Sequence, residues 1–101
     1  QYARADGPFF DDVVKGALAR VDEIDAAITA RLADGWTLDR LDKTMKAVLR
    51  AGTYELIARP DVPRGAVVNE YVDVAKAFFD AREAGFVNGL LDAIGGAVRA
   101  G

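Results

Sequence analysis

Residues 38–56 read LDRLDKTMKAVLRAGTYEL. At 100° per residue, Leu38, Leu41, Met45, Val48, Leu49, Gly52 and Leu56 fall within an arc of roughly 100°. Arg40, Lys43, Lys46 and Arg50 fall within roughly 120° on the opposite side. An apolar arc facing a cationic one is the pattern of an amphipathic helix with one side in a core. Thr37 is the expected N-cap, with Asp39 near the positive end of the helix dipole. Pro60 ends the helix, because the residue before a proline is pushed out of the α region.

The same periodicity extends in both directions. Upstream, Val14, Leu18, Val21, Ile24 or Asp25, Ile28 and Leu32 recur at three- and four-residue steps. They predict one long helix over about residues 8–33. Asp6-Gly7-Pro8 opens it, Asp11 and Asp12 suit its first turns, and Asp34-Gly35 closes it. Downstream, Arg59-Pro60-Asp61-Val62-Pro63-Arg64-Gly65 is a short stiff loop. A third helix is expected over about 66–81, with Val67, Tyr71, Val74, Ala75, Phe78 and Phe79 as its apolar side. Ala84-Gly85 marks a break. A fourth helix over about 86–98 presents Val87, Leu90, Leu91, Ile94 and Val98, and Gly95-Gly96 should fray its end. No strand-like alternation exceeds three residues. The expected architecture is all-α, a compact helical bundle of about four helices. Residues 1–7 read as an N-terminal extension and 8–101 as one helical domain.

Composition narrows the chemistry. The chain has 101 residues, neither Cys nor His, and no Ser. Disulfide scaffolds, thiolate or imidazole metal sites, cysteine nucleophiles and Ser-His-Asp triads are therefore impossible within it. Nineteen alanines and three prolines favour helix. No stretch approaches the roughly 18 apolar residues of a membrane span, and no signal peptide is visible, so a cytoplasmic binding module is expected over an enzyme. The net charge is −3, but residues 40–64 hold six cations against three carboxylates. That is the main basic concentration.

Three stretches are more specific than amphipathicity. The first is Ala47-Val48-Leu49-Arg50-Ala51-Gly52-Thr53-Tyr54-Glu55-Leu56. The second is Asp61-Val62-Pro63 followed by Val67-Val68-Asn69-Glu70-Tyr71-Val72-Asp73-Val74-Ala75-Lys76. The third is Gly85-Phe86-Val87-Asn88-Gly89-Leu90-Leu91-Asp92. In this order and spacing they resemble the NusB family of bacterial transcription antitermination factors, over about residues 8–98. Gly52, Thr53 and Tyr71 depart from the family pattern. The resemblance implies an all-α fold and no enzymatic activity or cofactor. It implies binding of boxA-type RNA together with the ribosomal protein NusE, acting on transcribing RNA polymerase at ribosomal RNA operons. It also implies that this chain, which opens on Gln1, corresponds to the C-terminal two-thirds of such a protein, without its arginine-rich first helix. The alternative is the N-terminal RNA-binding NusB-like domain of a ribosomal-RNA cytosine methyltransferase. There, a Rossmann-like catalytic domain would follow. A third option is a helical interaction domain without RNA contact.

Residue roles follow from chemistry and resemblance together. Lys43 and Lys46 are candidates for phosphate contact, against the plainer reading of a solvated helix face. Phe86, beside Arg82 at a helix start and at the edge of the buried face, is a candidate for base stacking. Arg40 and Met45 are candidates for a protein-partner surface, since Met suits adaptable contacts. Arg50, Glu55, Asn69, Glu70 and Asn88 are expected to form a buried structural network, with Arg50 paired to Glu55 or Glu70. Trp36 and Tyr54 are expected to pack, and Gly89 to admit close approach of another helix. No tight carboxylate spacing supports a metal site. Apolar surface left by absent N-terminal helices would favour a homodimer.

Overall fold

The structure is a computed structural model and describes residues 15–33 and 35–99. Among these, all regular structure is helical. Helical residues 15–19 lead into α1 (Val21–Thr29), and a 3-10 turn spans Leu38–Arg40. Three longer helices follow: α2 (Lys43–Ala58), α3 (Arg64–Phe78) and α4 (Ala81–Val98). Helices α3 and α4 pack most extensively on each other, α2 packs on both, and α1 lies across α2 and the edge of α4. Ile24 and Ile28 of α1, Leu49 and Leu56 of α2, and Leu91 and Ile94 of α4 meet in one core. Each such side chain contributes about 1.5–3 kcal/mol by leaving water. No helix among the described residues is long and apolar enough to cross a membrane.

The element boundaries depart from the periodic reading in physically simple ways. The first helix is interrupted. Arg20 sits at φ −116°, ψ 23°, and its N–H is shared between the carbonyls of Gly16 (3.2 Å) and Ala17 (3.3 Å). The expected start at Asp6-Gly7-Pro8, the 1–7 extension and Asp34 lie outside the described residues. Gly35 does take the left-handed conformation, at φ 87°. Thr37 caps nothing with its side chain and only precedes the 3-10 turn. Leu41 is extended, and α2 proper begins after Asp42, whose carboxylate accepts the Met45 N–H at 3.2 Å.

Helix α3 starts directly after Pro63 and stops at Phe78, short of the expected end at 81. The reason is a capping box at the start of α4. Asp80 accepts the Glu83 N–H at 2.9 Å, and the Glu83 carboxylate accepts the Asp80 N–H at 3.4 Å. Two reciprocal bonds outweigh the cost of Gly85, which stays inside α4 where a break was expected. Gly95-Gly96 do not fray the end either. A Cβ at Gly95 would come within 2.5 Å of Arg64 Cδ, so the bare backbone seats the Arg64 stem, and Arg64 pairs with Asp92 at 3.5 Å. Beyond α4, Arg99 donates to three backbone carbonyls, Leu56 (2.9 Å), Arg59 (2.7 Å) and Val62 (2.5 Å). A cation thereby closes the C-terminal end of α2, where the helix dipole favours it.

Candidate nucleic-acid interface

The cationic arc of α2 is divided in the structure. Arg50 is committed to α1: its Nε and Nη2 each donate to Asp25 at 2.8 Å, a bidentate pair. This corrects the expected partners. Glu55 projects about 140° around the helix from Arg50 and faces the core instead. Hydrogen bonding to Asp25 holds the Arg50 guanidinium above its ordinary value, against a desolvation that lowers it. Lys43 is exposed in the first turn of α2, Lys46 is half-buried, and Arg40 is exposed on the preceding 3-10 turn. Met45, expected at a partner surface, is in the core at 5% exposure, in helical phase with Leu49 and Leu56.

The expected polar network takes a different form. Asn69 and Asn88 are exposed, and Glu70 is half-buried. The buried carboxylate is Glu55, 1% exposed, which accepts a hydrogen bond from the hydroxyl of the half-buried Tyr71. In the sequence Tyr71 reads as part of the apolar side of the third helix and as a departure from the family pattern, not as the partner of Glu55. Thr53 Oγ1 is buried without a hydrogen-bond partner. Tyr54 is half-buried and lies where a Cβ on Gly16 would be.

Arg82 and Phe86 lie one turn apart on the outer face of α4, and both are exposed, Phe86 at 40%. Phe86 borders a shallow cleft of about 290 Å³. Gly85, Gly89, Leu90 and Ala93 continue its α4 side, and Arg31 and Ala33, from the segment after α1, form the other. A Cβ at Gly85 or Gly89 would meet nothing within 4 Å, so Gly89 corrects the expectation of a closely packed helix there. Neither Lys43 nor Lys46 lines the cleft. An exposed ring with a side-chain-free floor and a guanidinium opposite is suited to an unstacked base next to a phosphate. Arg31 was not singled out in the sequence, because nothing local ties it to α4.

One further expectation is corrected by position. Trp36 does not pack into the core. It is 53% exposed, with the Arg40 guanidinium 5.7 Å from its ring centroid. Among the described residues, no group of three or more acidic side chains could hold a metal ion.

Comparison with known proteins gives a consistent picture. The NusB family profile matches residues 1–95. The transcription antitermination protein NusB of Sphingopyxis alaskensis is 82% identical over 99 residues, 98% of this chain and 66% of that protein. The protein of the same name from Novosphingobium aromaticivorans is 66% identical over 99 residues, 98% of this chain and 67% of that protein. A solved structure of T. maritima NusB superposes with a TM-score of 0.79 at 32% identity, covering 89% of this chain and 65% of that one. The chain thus spans about two thirds of the length of these relatives.

Proposed function

The chain belongs to the NusB family, and on that premise we propose that it is a transcription antitermination factor. In this reading it binds boxA-type RNA together with the ribosomal protein NusE and acts on transcribing RNA polymerase in the cytoplasm. It carries out no catalysis of its own. The observation that carries the RNA reading is Phe86, exposed beside an open cleft with Arg31 across from it and Arg82 one turn away. Lys43 and Lys46 add phosphate contacts along α2, while Arg40, expected at a protein-partner surface, lies against the Trp36 ring. The antitermination name of the 82% and 66% identical relatives supports this reading over a methyltransferase-appended domain.

The test is RNA affinity across a salt series, for the chain together with NusE. If both lysines meet phosphates, Lys43→Glu with Lys46→Glu should flatten the logarithmic salt slope by about 1.4 for single-stranded RNA. Unchanged affinity and slope in that variant would return α2 to the status of a solvated helix face. Self-association is part of the same proposal, supported by the exposure of Leu18 at 68% and Phe78 at 65%. A monodisperse monomer in solution scattering would remove it.

A further inference from the structure

Trp36 is held rather than loose. Gly35 turns the chain at φ 87°, and the Trp36 N–H donates to the Ala33 carbonyl at 3.0 Å. Arg40 Nη1 donates to the Gly35 carbonyl at 2.9 Å while its guanidinium lies against the indole, 5.7 Å from the ring centroid. A large apolar ring is thus kept half in water by a turn fixed at three points. A flexible loop would let it fold onto nearby apolar surface; a fixed one leaves it pre-organised for a partner. Ala33, at the start of that turn, is also a wall of the Phe86 cleft. The turn that carries Trp36 and Arg40 therefore adjoins the cleft wall formed by Arg31 and Ala33.

We infer that Trp36, backed by Arg40, is a second base-stacking platform for the same RNA, so that a strand with one base on Phe86 crosses the Arg31–Ala33 wall and stacks another base on the indole. This rests on the RNA-binding reading above. It adds a sequence-tolerant contact, because every base offers a π-face, and cationic groups beside each ring for the backbone. Tryptophan and arginine also anchor protein interfaces, so the experiment has an arm for that outcome.

Trp36 is the chain's only tryptophan, so its emission reports this site alone. Two measurements are made on the whole chain, with and without NusE: tryptophan emission during titration with unlabelled boxA-type RNA, and anisotropy of labelled RNA with wild type, Trp36→Ala and Trp36→Phe. RNA should quench the emission. Trp36→Ala should weaken binding about five- to a hundredfold, and Trp36→Phe should recover part of the loss. Because Trp36 lies outside the core, both variants should keep the wild-type circular dichroism and melting curve, so a loss of affinity reads the contact and not the fold. If labelled RNA binds but the emission is unmoved, or Trp36→Ala binds as wild type does, this inference falls and the RNA reading stands. If labelled RNA does not bind at any salt even with NusE present, both fall. Quenching by NusE and not by RNA would also overturn it, and would assign the indole to the protein partner.

Discussion

Gly52, Tyr71 and Glu55 act as one unit. The missing side chain at Gly52 lets the Tyr71 ring lie against α2, and from there its hydroxyl reaches the buried Glu55 carboxylate. Unpaired, that carboxylate would incur a large desolvation cost. A Cβ at Gly52 would stand 2.9 Å from Leu91 Cδ1 and 3.3 Å from Tyr71 Cγ, and Leu91 is fully buried with little room to yield. Gly52→Ala sets a helix-propensity gain of about 1 kcal/mol against an overpacking cost of about 1–3 kcal/mol. It should lower stability by about 1 kcal/mol in urea denaturation, and by less in a Tyr71→Ala background. Gly89→Ala should do the opposite. Its Cβ enters open space, so the propensity term acts alone and stability should rise by about 1 kcal/mol, read as a higher melting temperature. The sequence marked Gly52 and Tyr71 separately as departures, but it could not show that one makes room for the other. It also assigned Gly89 a close neighbour. Helical position tells which face a glycine occupies, not what stands opposite.

At the scale of elements, periodicity located the cores of the helices and mislocated their ends. Apolar spacing is carried by the middle turns, whereas ends are decided by single side chains that satisfy unpaired backbone groups. Asp42 rather than Thr37 caps α2, and Asp80 with Glu83 starts α4 one and a half turns earlier than the Ala84-Gly85 break suggested. The Asp80-x-x-Glu83 spacing was legible as a capping box; the glycine after it drew the reading away. Asp80→Ala should cost about 1 kcal/mol, seen as a lower urea midpoint with an unchanged slope. Arg99 was not legible. Its three acceptors, Leu56, Arg59 and Val62, come together only when α4 has packed against the end of α2. The same holds for Arg50: its need for a carboxylate could be read locally, but Asp25 as the partner required the crossing of α1 over α2.

Across the whole molecule, the fold class was legible because amphipathic spacing and three polar-containing motifs agreed. The candidate site was legible in part. Phe86 stood out by its place at the edge of an apolar face, and the structure leaves it exposed. The opposite wall of its cleft, Arg31 and Ala33, comes from the segment after α1 and has no signature of its own. The net charge of −3 also conceals the arrangement, since Arg31 and Arg82 flank the aromatic ring whatever the total. Affinity for RNA depends on such local placement, and it is salt-dependent to the extent that those cations replace phosphate counterions. The decisive comparison is the affinity of the chain plus NusE for boxA-type and scrambled RNA, with wild type and Phe86→Ala side by side. Wild type should prefer boxA, and Phe86→Ala should bind about five- to a hundredfold more weakly with an unchanged melting curve. Equal affinity for the two RNAs, or a Phe86→Ala variant that binds as well as wild type, would show that this face does not read RNA.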